Sequence, residues 1–172
     1  MKKGALLLIA IIFTSSLGFS EVIKEFSLGS PVFDPNTSIP EKYTCVGADI
    51  SPALFWENVP KDTKSFVLVI DDPDAQDGTW VHWVLFNIPP ETRNLTEGEV
   101  PVGAINGKNS WGFTGYKGPC PPPGDIHNYI FRLYALDTVL PLDASAIKEN
   151  VIDAIQYHVL GMAEFKGNFQ RE

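Results

Sequence analysis

The chain has 172 residues, enough for one domain with its own core, and its 44% hydrophobic and 20% charged residues argue against a disordered acidic polymer. A formal charge of −8 with no basic cluster argues against nucleic acid or an anionic membrane as a partner. The 14 Pro and 14 Gly are scattered as punctuation without a period, which excludes a repeat architecture.

The chain opens with Lys2 and Lys3, an apolar run from Gly4 to Phe13, and then small and polar residues through Gly18 and Ser20. This is the order of a secretory signal peptide, 1–20, cleaved before Glu21 to leave a domain of residues 21–172. An uncleaved anchor is the alternative, although the apolar run falls short of the roughly 20 residues that span a bilayer. The expected location is therefore outside the cytoplasm, in the periplasm, cell envelope or medium, with no stable membrane span after cleavage. Two cysteines, Cys45 and Cys120, are an even pair, which in an oxidising compartment favours a disulfide over two buried thiols. No CxxC pair supports zinc.

Four segments have strand character. Residues 22–28 alternate, and 65–71 form the continuous apolar run of a strand buried on both faces. Residues 80–88 place Trp80, His82, Val84 and Phe86 on one face by simple alternation, with Val81, Trp83 and Leu85 opposite. Residues 127–137 place His127, Tyr129, Phe131 and Leu133 together, and Pro89-Pro90 ends the third strand. One helix follows, with Asp143 or Ser145 as N-cap, Ile147, Val151, Ile155 and Val159 repeating at i+4, and Gly161 as terminator. The tail from Ala163 offers a last strand. The chain reads as mostly β with one late helix, a sandwich rather than a parallel α/β fold.

Polar residues concentrate in four places. The acidic turn Asp71–Gly78 ends the most apolar strand, and His82 lies in the strand that follows. A strand histidine is commonly a satisfied core residue, but Asp72 or Asp74 is close enough in sequence to orient this imidazole and favour its charged form. Between Gly115 and Asp125 four prolines and three glycines surround Cys120, and His127 and Tyr129 follow directly. Proline stiffens such a loop and glycine lets backbone approach a ligand, so the loop reads either as an anion-holding nest or as a rigid connection.

The stretches "YTCVGADISPALFWENVP", "DDPDAQDGTWVHWVLFNIP", "GYKGPCPPPGDIHNYIFRLYALD" and "YHVLGMAEFKGNFQR", taken in order and spacing, resemble the phosphatidylethanolamine-binding protein family, specifically its prokaryotic Raf-kinase-inhibitor-like branch. The resemblance implies a β-sandwich with a small pocket near its surface for phosphate and phosphorylated head groups. It implies pocket roles for Asp72 and Asp74, for His82, for the loop residues Gly118, Pro119, Pro121 and Pro122, and for His127 and Tyr129. Two residues depart from the family pattern: Gln76 stands where a proline is usual, and Asn128 stands for an arginine. By strand alternation Asn128 points away from His127 and Tyr129.

The function expected is that of an exported, non-enzymatic binding protein for a small phosphorylated anion or phospholipid head group, with no cofactor and a possible regulatory role. A zwitterionic head group would give the aspartates an ammonium to accept. Inhibition of a protein partner, a peptidase or kinase, is the second reading the resemblance allows. A metal-dependent hydrolase built on Asp72, Asp74, His82 and His127 is chemically competent, but no spacing such as HExxH supports it. GxSxG is absent, and the sequons at Asn36 and Asn94 are read as chance occurrences.

Overall fold

The computed structural model describes residues 24–172, so the signal-peptide reading and the beginning of the first expected strand lie outside the described residues. Besides a 3-10 turn at Glu41–Tyr43, eight strands and one α-helix follow in the order β1 Ser27–Gly29, β2 Leu54–Glu57, β3 Ser65–Asp72, β4 Trp80–Ile88, β5 Asn94–Leu95, β6 Ile105–Asn106, β7 Ile126–Leu136, α1 Lys148–Ile155 and β8 Val159–Gln170. They build two antiparallel sheets, β1-β2-β5 and β6-β4-β3-β7-β8.

The alternation of β7 and β8 packs one sheet on the other. His127, Tyr129, Phe131, Leu133 and Ala135 of β7, and Ala163, Phe165, Gly167 and Phe169 of β8, are buried at every second position. Phe66, Leu68 and Ile70 of β3 join them against Leu28, Leu54, Trp56 and Leu95 of the small sheet. The opposite face of β3, Val67 and Val69, packs with Val84, Phe86, Val151 and Ile155 beneath α1. All eight residues of β3 are buried because both faces of the strand are covered, as its continuous apolar run implies.

Two expectations are corrected. The helix is short, Lys148–Ile155, with Ile147 rather than Asp143 or Ser145 at its N-cap. Asp143 instead holds the preceding turn, its Oδ1 accepting from Ser145 N–H at 2.8 Å and from the Ser145 hydroxyl. Gly161 terminates nothing: β8 already begins at Val159, because pairing with Leu136 of β7 outcompetes one more helical turn. Secondly, β4 does not alternate strictly. Ile70 pairs with Trp83, but the next residue, Asp71, pairs with Val81, leaving His82 as the extra residue of a bulge. The bulge carries His82 to the sandwich side with Trp83, where it meets Tyr129, while Val81 and Val84 share the helix side.

Candidate functional site

The bulge in β4, the end of β3, the start of β7 and the proline-rich loop converge on one cavity of about 290 Å³. Its walls are Asp72, Ala75, Gln76, Trp80, His82, Trp111, Cys120, Pro121, Pro122 and His127. Of the residues singled out in the sequence, Asp72, His82, Pro121, Pro122 and His127 line it directly. Asp74, Gly118, Pro119 and Tyr129 are not among the lining residues.

The two imidazoles are fixed in the same way. His82 Nδ1 donates to the Lys117 carbonyl at 2.6 Å, and His127 Nδ1 donates to Asp72 Oδ2 at 2.7 Å. A carbonyl only accepts, so the His82 proton sits on Nδ1 and Nε2 is the atom left for a ligand. The expected pairing is thereby corrected: Asp72 orients His127, and a backbone carbonyl orients His82. Nor is the charged form of His82 favoured. Burial, the largest influence, pushes its pKa below the usual value and outweighs the Lys117 carbonyl and the nearby charge of Asp72.

Both carboxylates are engaged. Asp72 is buried, and its Oδ1 accepts from Asp74 N–H at 2.8 Å, which closes the acidic turn on itself. Asp74 Oδ2 accepts from the backbone and side-chain amides of Asn128, both at 2.8 Å. These bonds, the backbone one first, hold the Asp74 carboxyl below its usual pKa. Asn128 does point away from the His127 side, and there it anchors the acidic turn. Gln76 lines the cavity, with its neighbours forming an exposed turn.

The proline-rich loop is locked to the segment that the disulfide joins to it. Cys45 and Cys120 are bonded across 75 residues, with Cα atoms 5.4 Å apart. Cys45 N–H donates to the Pro119 carbonyl at 3.0 Å, and Gly118 N–H donates to Asp49 Oδ1 at 2.7 Å. Lys117 forms an ion pair with the other oxygen of Asp49. A side chain on Gly118 would place its Cβ 2.3 Å from the Tyr43 carbonyl oxygen, so only glycine permits this approach. The loop is therefore not an open nest. The amides of Lys117, Gly118, Gly124 and Asp125 are bound within the protein, four prolines have none, and the Cys120 N–H lies against the Tyr129 hydroxyl.

Tyr129 lies beneath His82, ring centroids 5.2 Å apart and nearly perpendicular. Its hydroxyl is buried, with the Cys120 amide beside its oxygen and no acceptor for its proton among the described residues, and burial drives its pKa far above the usual value, so it remains a donor. Trp80 and Trp111 form the aromatic side of the cavity, 5.4 Å apart at 87°, with Trp111 also 5.1 Å from His82. Sequence reasoning missed Trp111 because its turn, "NSWGFTG", has no periodicity; its indole is legible only once the turn is folded over β4. No group of three or more metal-binding side chains occurs among the described residues.

Comparison with known proteins places this site in context. The family described as phosphatidylethanolamine-binding protein matches residues 29–170. A protein of Methanothermobacter thermautotrophicus named UPF0098 is 49% identical over 150 residues, covering 84% of this chain and 99% of its own. A UPF0098 protein of Aquifex aeolicus is 42% identical over 162 residues, covering 87% of this chain and 95% of its own. Among solved structures, a phosphatidylethanolamine-binding protein homologue of Chlamydia trachomatis superposes with a TM-score of 0.82 at 38% identity, over 86% of this chain and 99% of that one. The E. coli protein YbcL, described as a member of the mammalian family, gives 0.82 at 30% identity over 87% and 100%.

Proposed function

Because the chain belongs to the phosphatidylethanolamine-binding protein family, we propose that it is an exported, non-enzymatic binding protein whose cavity takes a small phosphorylated head group. The observation that carries this reading is the pair of imidazoles. Each has Nδ1 pinned by a protein acceptor, and each lines the cavity with Nε2 as its uncommitted nitrogen. The Tyr129 hydroxyl, whose oxygen lies against the Cys120 amide and whose proton has no acceptor among the described residues, adds a donor close by. An orphaned buried hydroxyl costs about 1–3 kcal/mol, which a ligand oxygen within reach would recover.

No lysine or arginine lines the cavity. Anion binding here is consequently linked to protons. With His82 held neutral, Nε2 accepts a hydrogen bond from a phosphate monoanion that keeps its own proton, or it gains a proton as the ligand's charge offsets the cost of burial. Asp72 does not oppose the ligand as a bare charge, since its Oδ2 is engaged by the His127 ring at 2.7 Å. The indoles of Trp80 and Trp111 supply the faces for an ammonium group, a role the engaged aspartates fill less well. Export is supported by the Lys-headed apolar N-terminus and by the disulfide.

The test is titration of the protein with O-phosphoethanolamine and with inorganic phosphate, followed by NMR shift mapping beside His82→Ala. Shifts confined to Asp72, His82, His127 and the 115–124 loop, and lost in the variant, are expected. Silence at millimolar ligand overturns the reading.

A further inference from the structure

Residues 111–114 are exposed, and two of them are large aromatics at the tip of a tight turn: Trp111 is 38% accessible and Phe113 47%. The turn is rigid. Lys108 and Thr114 form a bridge, Asn109 N–H donates to the Phe113 carbonyl at 3.0 Å, and Gly112 N–H donates to the Asn109 carbonyl at 2.9 Å. The buried Asn109 side chain ties both limbs, accepting from Trp111 N–H and donating to the Gly115 carbonyl, each at 3.0 Å. Gly112 provides the positive φ, +85°, that the tip requires. The aromatic side chains are thus displayed by a fixed scaffold.

Trp111 belongs to two surfaces at once. One part of its ring packs on Trp80 and His82 as cavity wall, and the rest faces outward beside Phe113. Whatever surface meets this tip is therefore continuous with the cavity mouth. From this we infer that the 109–115 turn docks the cavity onto a zwitterionic phospholipid bilayer, with Trp111 and Phe113 entering the interface while a head group occupies the cavity.

The inference rests on the head-group reading above. Indole and phenyl groups are the side chains favoured at the polar–apolar boundary of a bilayer. The surrounding charge selects the lipid. Segments bordering the mouth carry the exposed acids Asp74, Asp77 and Asp125; of the nearby bases, Lys117 is paired with Asp49, Arg171 lies against the Cys120 sulfur and Lys108 stands at the base of the turn, and the chain is acidic overall. An anionic surface is repelled by such a face, and a zwitterionic one is not.

Phe113 does not line the cavity, so Phe113→Ser separates docking from head-group capture. The exported protein and this variant are compared by co-sedimentation with vesicles of equal parts phosphatidylcholine and phosphatidylethanolamine, and by NMR titration with O-phosphoethanolamine. Thermal melting verifies that the variant is folded. The expected result is roughly tenfold weaker vesicle partitioning for the variant, from the loss of one half-exposed phenyl anchor, with unchanged affinity for the soluble head group. Replacing a third of the lipid by phosphatidylglycerol should weaken the wild type further. Equal partitioning of the two proteins overturns the inference. So does a wild type that binds O-phosphoethanolamine but no vesicle, which leaves the cavity reading intact and makes the aromatic tip a contact for a protein partner. A wild type that binds neither overturns both.

Discussion

Asp49 holds the cavity wall from outside the cavity, and its replacement tests whether that wall is as fixed as the hydrogen bonds imply. Three interactions meet at this residue: the 2.7 Å bond from Gly118 N–H, the ion pair with Lys117, and a backbone at φ +57° that aspartate and asparagine tolerate better than alanine. Asp49→Ala strands the buried Gly118 amide, at about 1.5–3 kcal/mol for a bond to a charged acceptor, and adds about 1 kcal/mol for the left-handed backbone. The Lys117 pair is partly exposed and contributes under about 1 kcal/mol. The alanine variant should therefore lose about 3 kcal/mol. Asp49→Asn keeps an acceptor and the backbone preference, and should lose about 1 kcal/mol. With a urea slope near 2 kcal/mol/M, the unfolding midpoints fall by about 1.5 M and 0.5 M respectively. The disulfide and the Cys45–Pro119 bond remain in both variants, so both should fold. Equal midpoints for the two variants, or a loss below about 0.5 kcal/mol in the alanine form, would refute the anchoring role.

Burial lowers the proton affinity of folded His82 relative to the unfolded chain, so its contribution to stability is complete above the ordinary value near 6.5 and is lost as pH falls through the lower folded value. Urea unfolding at pH about 8 and about 5 should thus show a steeper loss for the wild type than for His82→Gln; parallel losses would contradict this. Reduction of the disulfide, or paired serine substitution at Cys45 and Cys120, should cost up to about 4 kcal/mol for a 75-residue closure, read as a fall in melting temperature; an unchanged midpoint would mean that the loop's other bonds suffice. Asn128→Ala removes the side-chain bond to Asp74 and leaves the backbone one, so the Asp74 pKa should rise partway toward its ordinary value in carboxyl-detected NMR. No change would show that the backbone amide alone sets it.

Much of the fold was legible because burial leaves a period. β3, covered on both faces, reads as an unbroken apolar run, and β7 alternates without error from His127 to Leu133. The bulge at His82 was not legible: "WVHWVLF" is apolar on either assignment of faces, and only pairing with β3 shows where a residue is spare. The helix was overextended for a related reason. Ile155 and Val159 continue the four-residue spacing, while the ladder with β7 that claims Val159 is a long-range interaction. The short strands β2, β5 and β6 offer too few residues for any period to show, and the alternation of residues 22–28 overextended β1, since residues 24–26 lie outside the strand Ser27–Gly29.

The site was legible as a set of residue types, and much less so as a set of partners. Asp72 and His127 stand 55 residues apart, and nothing in their spacing reveals that they meet; His82 is oriented by a backbone carbonyl, which has no sequence signature. Asp49 and Trp111 were missed because each acts through a loop whose shape depends on distant contacts.

The central claim is that two imidazoles present bare Nε2 atoms to a phosphorylated head group. Long-range ¹H–¹⁵N correlation of the histidine rings, at about pH 7 before and after saturation with O-phosphoethanolamine, tests it most directly. Free His82 should be protonated at Nδ1 with Nε2 bare, and ligand should shift the Nε2 resonances of both His82 and His127 toward the hydrogen-bonded or protonated range. A free His82 carrying its proton on Nε2, or Nε2 signals unmoved at saturating ligand, would contradict the account.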